Sequence, residues 1–160
     1  GDEVTIEDYI LYGPKNEAYL KPGNGFAFTV KEFDKNSSRL HISAKCPNGK
    51  SVAMLVNGHK IEVKGSVINI DSATEMFFDV TDYIQANGRV AITCAVTNGD
   101  PDAILSICNI KLISDAQPTR GGDNDSFYVD QGLIDFAAMI ISGQSMDRGI
   151  RFDNSRRICS

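Results

Sequence analysis

The chain has 160 residues, 42% of them hydrophobic and 23% charged, with a formal net charge of −5. That length supports one domain with a sizeable core, in which folding buries roughly 70% of the unfolded chain's surface. The acidic balance, without clustered Lys and Arg, excludes the electrostatic footprint of nucleic-acid binding, and no apolar run approaches the ~20 residues of a membrane-spanning helix.

Gly1-Asp2-Glu3 lacks the basic start and apolar region of a signal peptide. An opening Gly with no initiator methionine leads to the expectation of a segment excised from a longer protein. Val4–Tyr12 is rich in β-branched and aromatic residues and reads as the first strand. Gly13-Pro14-Lys15-Asn16 and Pro22-Gly23-Asn24-Gly25 are turns. Phe26, Phe28 and Val30 alternate with Ala27, Thr29 and Lys31, the period of a half-buried strand. Leu40, Ile42 and Ala44 alternate with His41, Ser43 and Lys45 in the same way.

Val52, Met54 and Val56 form the next inward set, followed by Asn57-Gly58 and His59–Val63. Asn-Gly between two such runs predicts a hairpin, because a type I′ turn needs positive φ at both central residues. Val67–Ile70 reads as a further short strand. Met76-Phe77-Phe78 is another, and Asp79-Val80-Thr81 turns the chain. Asp82-Tyr83-Ile84 makes a helical turn that Gly88 stops. Val90–Thr97 and Ala103–Ser114 are two strands around a loop at Pro101. About nine or ten short strands before residue 115, none followed by a long helical pattern, predict an all-β antiparallel sandwich.

The composition changes after Ser114, beyond which there is no Lys and no Glu. The expected organisation is a β-sandwich module over residues 1–115, with a linker and tail over 116–160. Within the tail, Phe127, Leu133, Phe136, Ala137, Ile140 and Ile141 line one side of a predicted helix over 128–142, with Gly143 as its stop. The tail either packs its apolar face on the sandwich or begins a following module.

Of the four cysteines, Cys46, Cys94, Cys108 and Cys159, none has CxxC spacing, so a zinc site lacks support. Cys94 and Cys108 are placed to lie opposite each other on strands flanking Pro101, which admits a disulfide; the preferred reading is buried reduced thiols. His41 and His59 are the only histidines, and neither has a nucleophile motif beside it, so catalytic residues are not expected. Asp100, Asp102, Asp123 and Asp125 sit in loops and are the candidate calcium ligands; neither loop has the spaced series of an EF-hand, turn chemistry explains them equally well, and no cofactor is expected. Asp79, Thr81 and Tyr83 read as structural: Thr81 caps the helical turn, Asp82 suits its positive end, and Tyr83 with Ile84 plugs the end of the sandwich. Tyr12 and Tyr19 flank the loop Gly13–Ala18 and are the expected ligand-facing aromatics, since sugar rings stack on exposed aromatic faces.

The run LYGPKNEAYLKPG (Leu11–Gly23) resembles the opening of β-sandwich modules repeated in large surface proteins of Gram-positive bacteria. FFDVTDYIQANGRVAITCAVT (Phe77–Thr97) with ILSICNIKLI (Ile104–Ile113) is similar to the end of that module and to galactose-binding-like jelly rolls of carbohydrate-binding modules. The resemblance implies an all-β antiparallel β-sandwich of jelly-roll type, with the last strand returning beside the first. It implies a noncatalytic bacterial module, extracellular or at the cell surface, set among neighbouring domains of a larger protein. Its partners would be a glycan or a cell-surface protein, with no nucleic acid and no membrane span in this segment. The expected role is an adhesion or spacer unit; the alternative is a carbohydrate-binding module reading a glycan through Tyr12 and Tyr19.

Overall fold

A computed structural model of the chain describes residues 2–5, 9–13, 20–46, 50–64, 75–96, 102–114, 127–128, 131–142 and 151–153. The strands are β1 (Asp2–Thr5), β2 (Ile10–Gly13), β3 (Gly25–Val30), β4 (Ser38–Lys45), β5 (Ser51–Val56) and β6 (His59–Lys64). They continue with β7 (Met76–Asp79), β8 (Arg89–Val96), β9 (Ser106–Ser114), β10 (Phe127–Tyr128) and β11 (Arg151–Asp153). One helix, α1 (Gln131–Ser142), and a 3-10 turn, Thr81–Tyr83, complete the described elements.

The strands form two antiparallel sheets. One is four-stranded in the order β1-β9-β4-β7. The other is seven-stranded in the order β11-β2-β3-β8-β5-β6, with β10 also pairing β3. Without β2, β10 and β11, the second order is β3-β8-β5-β6. The chain then crosses between sheets after β1, β3, β4, β6, β7 and β8, the wrapping of a jelly roll. The predicted all-β antiparallel sandwich is therefore the observed architecture, and β9 does return beside β1, with Val4 opposite Leu112.

The predicted strand Val4–Tyr12 is two strands, β1 and β2, which join different sheets. The strands around Pro101 do not form a hairpin: β8 lies in the seven-stranded sheet and β9 in the four-stranded one. In a jelly roll these two consecutive strands cross the sandwich, so Cys94 and Cys108 do not face each other across a ladder. The hairpin at Asn57-Gly58 forms as expected, with φ of 50° and 88° at the two residues. The strand predicted at Val67–Ile70 lies outside the described residues.

Alternation places one apolar set per strand between the sheets. Phe26, Phe28, Val30, Leu40, Ile42, Met54, Ile92, Leu105 and Ile110 belong to this interior cluster and are essentially inaccessible. Tyr9 meets Phe26 edge to face at 5.5 Å, and Phe26 lies near Phe28 at 6.1 Å. Each such large side chain contributes on the order of 2 kcal/mol by leaving water.

A second cluster lies on the outer face of the seven-stranded sheet. There α1 lays Leu133, Phe136 and Ala137 over Ile10, Tyr12, Ala27 and Ala91. This layer explains why β3 is buried along its whole length rather than on one face as its alternation suggested. The small Ala27 and Ala91 let the helix come close. The predicted helix 128–142 begins at Gln131, because Phe127 and Tyr128 instead pair with Val30 and Thr29.

Candidate functional site

The outer face of the four-stranded sheet carries exposed Arg39, Phe77 and Asp79, partly buried His41, Asn109 and Lys111, and a buried Ser43. Its side chains are fixed by register: Ser43 opposite Phe77, His41 opposite Asp79, and on the other flank Asn109 opposite Ser43 and Lys111 opposite His41. Directly opposed residues in such pairs stand about 5 Å apart. Phe77 is 69% exposed, the most exposed large apolar side chain among the described residues. Its neighbours Met76 and Phe78 point inward and pack on the interior. Ser43 donates a hydrogen bond to Glu75 beside Phe77.

Asp79 organises the other half of this face. Its Oδ1 accepts hydrogen bonds from Thr81 N–H (3.0 Å) and Thr81 Oγ1 (2.5 Å). Its Oδ2 lies 3.7 Å from His41 Nε2 and 4.0 Å from Arg39 Nη1. Partial burial pushes the Asp79 carboxyl up, but the two bonds from Thr81, with the charges of His41 and Arg39, outweigh that and hold it below its ordinary range. The carboxylate is thus charged and held in one orientation at neutral pH.

Thr81 is not the cap predicted from sequence. The cap position is Val80, with no side-chain cap bond, and Thr81 begins the turn. Its hydroxyl instead accepts from Leu40 N–H at 2.9 Å while donating to Asp79, and Val80 N–H donates to Leu40 O. The segment after β7 is thereby tied to β4. Tyr83 is half-buried rather than a full plug; Ile84 carries the burial. The Tyr83 ring stacks on His59 at 4.9 Å and 19°. Asn57, which the sequence marked only as a turn residue, ties this corner together. Its amide donates to Tyr83 O and Arg89 O, and its Oδ1 accepts from Ala91 N–H.

Tyr12, expected to offer an exposed face, is completely buried. Its hydroxyl donates to Ile92 O at 2.8 Å, and α1 covers its ring. It cannot stack on a ligand while α1 is in place. Tyr19, Asp100, Asp123 and Asp125 lie outside the described residues. Asp102 is exposed and meets Lys50 Nζ at 2.8 Å, which lowers its pKa chiefly through that hydrogen bond. Among the described residues, no group of three or more His, Cys, Asp and Glu is placed to hold a metal ion. Burial pushes the Cys46 thiol up to about 11 and the Cys94 thiol to about 12, so both are protonated at neutral pH. Cys46 Sγ donates to Val63 O. Both thiols act as small apolar groups of the interior.

The aromatic that does face solvent is Phe77, which in the sequence is one residue of a short apolar run. Its signal was parity: Phe77 shares a face with Asp79, while Met76 and Phe78 share the other. No helix among the described residues is long and apolar enough to cross a membrane. No protein-family model, no curated protein and no solved structure matches the chain.

Proposed function

We propose that the chain is a noncatalytic adhesion or spacer module of a larger secreted or cell-surface protein, and that it meets its partner with the outer face of the four-stranded sheet. The observation that carries this reading is the unequal covering of the two sheets. α1 covers the β2, β3 and β8 part of the seven-stranded sheet, whereas the four-stranded sheet presents Phe77 in solvent beside the oriented Arg39, His41 and Asp79. A rigid sheet holds those groups at fixed spacing, which lowers the ordering cost of binding. The extracellular setting rests on the resemblance of Leu11–Gly23 and Phe77–Thr97 to bacterial surface modules.

The second reading, a carbohydrate-binding module, is favoured by the chemistry around Phe77. An apolar ring suits the C–H face of a pyranose, and Asp79, Arg39 and Asn109 are planar polar groups able to meet hydroxyls around its rim. The site moves accordingly from Tyr12 to Phe77. Titration of the isotopically labelled chain with bacterial, plant and animal oligosaccharides tests both readings by amide NMR. Shifts confined to residues 39–43, 75–79 and 109–111, lost in Phe77→Ala, establish the sugar reader. Binding to intact cells that is lost in Phe77→Ala, without an oligosaccharide response, supports adhesion through a protein partner. Cell or glycan binding that Phe77→Ala leaves intact removes this face from consideration.

A further inference from the structure

The interior of the sandwich and the layer beneath α1 are separate apolar clusters. The interior cluster runs from Tyr9 to Leu112 and includes none of the buried residues of α1. The outer cluster is made by Ile10, Tyr12, Ala27 and Ala91 on the sheet and Leu133, Phe136 and Ala137 on α1. Removing the helix would bare an outer strip of the sheet that includes those four residues, while the interior cluster lies on the other face. The hydroxyl of Tyr12 would keep both its partners, Ile92 O and Thr93 Oγ1, since both belong to β8.

Among the described residues, the backbone pairings that flank α1 are short. β10 pairs with β3 over two residues and β11 pairs with β2 over three, whereas β4 and β9 pair over eight. The helix has 12 residues. Helices shorter than ~12–15 residues are marginal in water by themselves, so α1 owes its structure to the face beneath it. Its fit is close at the start: a Cβ on Gly132 would lie 2.0 Å from Arg89 Nη2. Docking and helix formation are therefore one event.

We propose that α1 is a separable cover that leaves and returns as a unit while the jelly roll beneath stays folded. Such sub-global openings are the low-free-energy end of native-state fluctuations, and their urea dependence is small because little surface is exposed.

Native-state hydrogen exchange of the full chain at low urea tests this. The expected result is that the amides of residues 135–142 exchange at least ~100-fold faster than those of Leu40, Ile92 and Cys94, with a weaker dependence on urea. Equal rates and equal urea dependence would make the cover part of one cooperative unit and overturn the proposal. Phe136→Ala supplies the second arm. It is expected to speed exchange in α1 by at least ~10-fold and leave Ile92 and Cys94 unchanged, because Phe136 belongs only to the outer cluster. An equal acceleration in both regions, or failure of this variant to fold, also overturns it.

Discussion

Tyr12 and Thr93 share a hydrogen bond of 2.9 Å across the full width of β3. The residue between them, Gly25, is the register partner of both and has no side chain to stand in the way. The single phenolic proton goes to Ile92 O, so Thr93 Oγ1 donates to Tyr12 Oη. A side chain from β2 thus locks directly onto β8, two strands away.

Tyr12→Phe keeps the ring and removes this lock, leaving the Thr93 hydroxyl buried without its partner. The expected loss is about 1–2 kcal/mol, read as a lower urea midpoint with an unchanged slope. The phenol also carries a pH signature. Burial pushes its pKa above the ordinary 10.0, against a smaller lowering by Thr93. The folded state holds this proton more tightly than the unfolded chain, so its contribution is complete below pH 10 and is lost as pH rises beyond it. Stability of the wild type should fall more steeply above pH 10 than that of Tyr12→Phe.

Gly25→Ala should be among the most damaging single-methyl additions in the chain. A Cβ there would lie 2.1 Å from Ile92 O and 2.6 Å from the Tyr12 hydroxyl oxygen. The backbone oxygen cannot move without breaking the β3–β8 ladder, so a loss above about 2 kcal/mol is expected, in the range of core overpacking. Gly58→Ala is the control. No atom lies within 4 Å of the added methyl, but φ is +88°, and the cost is that strain, about 1 kcal/mol. Chemical denaturation of both variants should rank them in that order.

What could be read from the sequence was local or periodic. Asn57-Gly58 states its turn through backbone sterics alone, and the alternation of Leu40, Ile42 and Ala44 states which face of β4 is dry. Non-local choices were not legible. The runs around Pro101 look like a hairpin, yet in the jelly roll β8 and β9 enter opposite sheets, and nothing local distinguishes the two outcomes. Tyr12 looked exposed because it precedes a Gly-Pro loop; its burial depends on a helix more than a hundred residues later in the chain. The same helix hides Ala27 and turns a half-buried pattern into a fully buried strand. Phe77 was legible by parity, but only once Met76–Asp79 was fixed as an edge strand against β4.

The stack of Tyr83 on His59 joins the β5–β6 hairpin to the 3-10 turn. A fully buried Tyr83 would cost about 3 kcal/mol on truncation. Half-burial reduces the expected cost of Tyr83→Ala to about 1.5–2 kcal/mol. A double-mutant cycle of Tyr83→Ala and His59→Ala should return a coupling of about 0.5–1 kcal/mol, the range for ring pairs. Zero coupling would show that the rings are neighbours without mutual stabilisation, and that Asn57 alone holds the corner.

Asp79→Asn separates the charge of this side chain from its hydrogen-bonding shape. The amide oxygen can still accept from Thr81 N–H, as the carboxylate does at 3.0 Å, but the attraction to Arg39 and His41 is gone. In the wild type the folded-state pKa lies below the ordinary 3.8: burial raises it, while the Thr81 bonds and the two cations lower it by more. The unfolded chain therefore takes up the proton first on acidification. The stabilisation is complete above that ordinary value and disappears as pH falls through the lower, folded one. Between pH 5 and pH 3 the wild type should lose more stability than Asp79→Asn, and the two curves should converge at the acid end. Because Asp79 is half exposed, solvent screening keeps this difference small, and 0.5 M salt should shrink it further. Parallel curves throughout would mean that the ionised form contributes nothing beyond what the amide oxygen supplies.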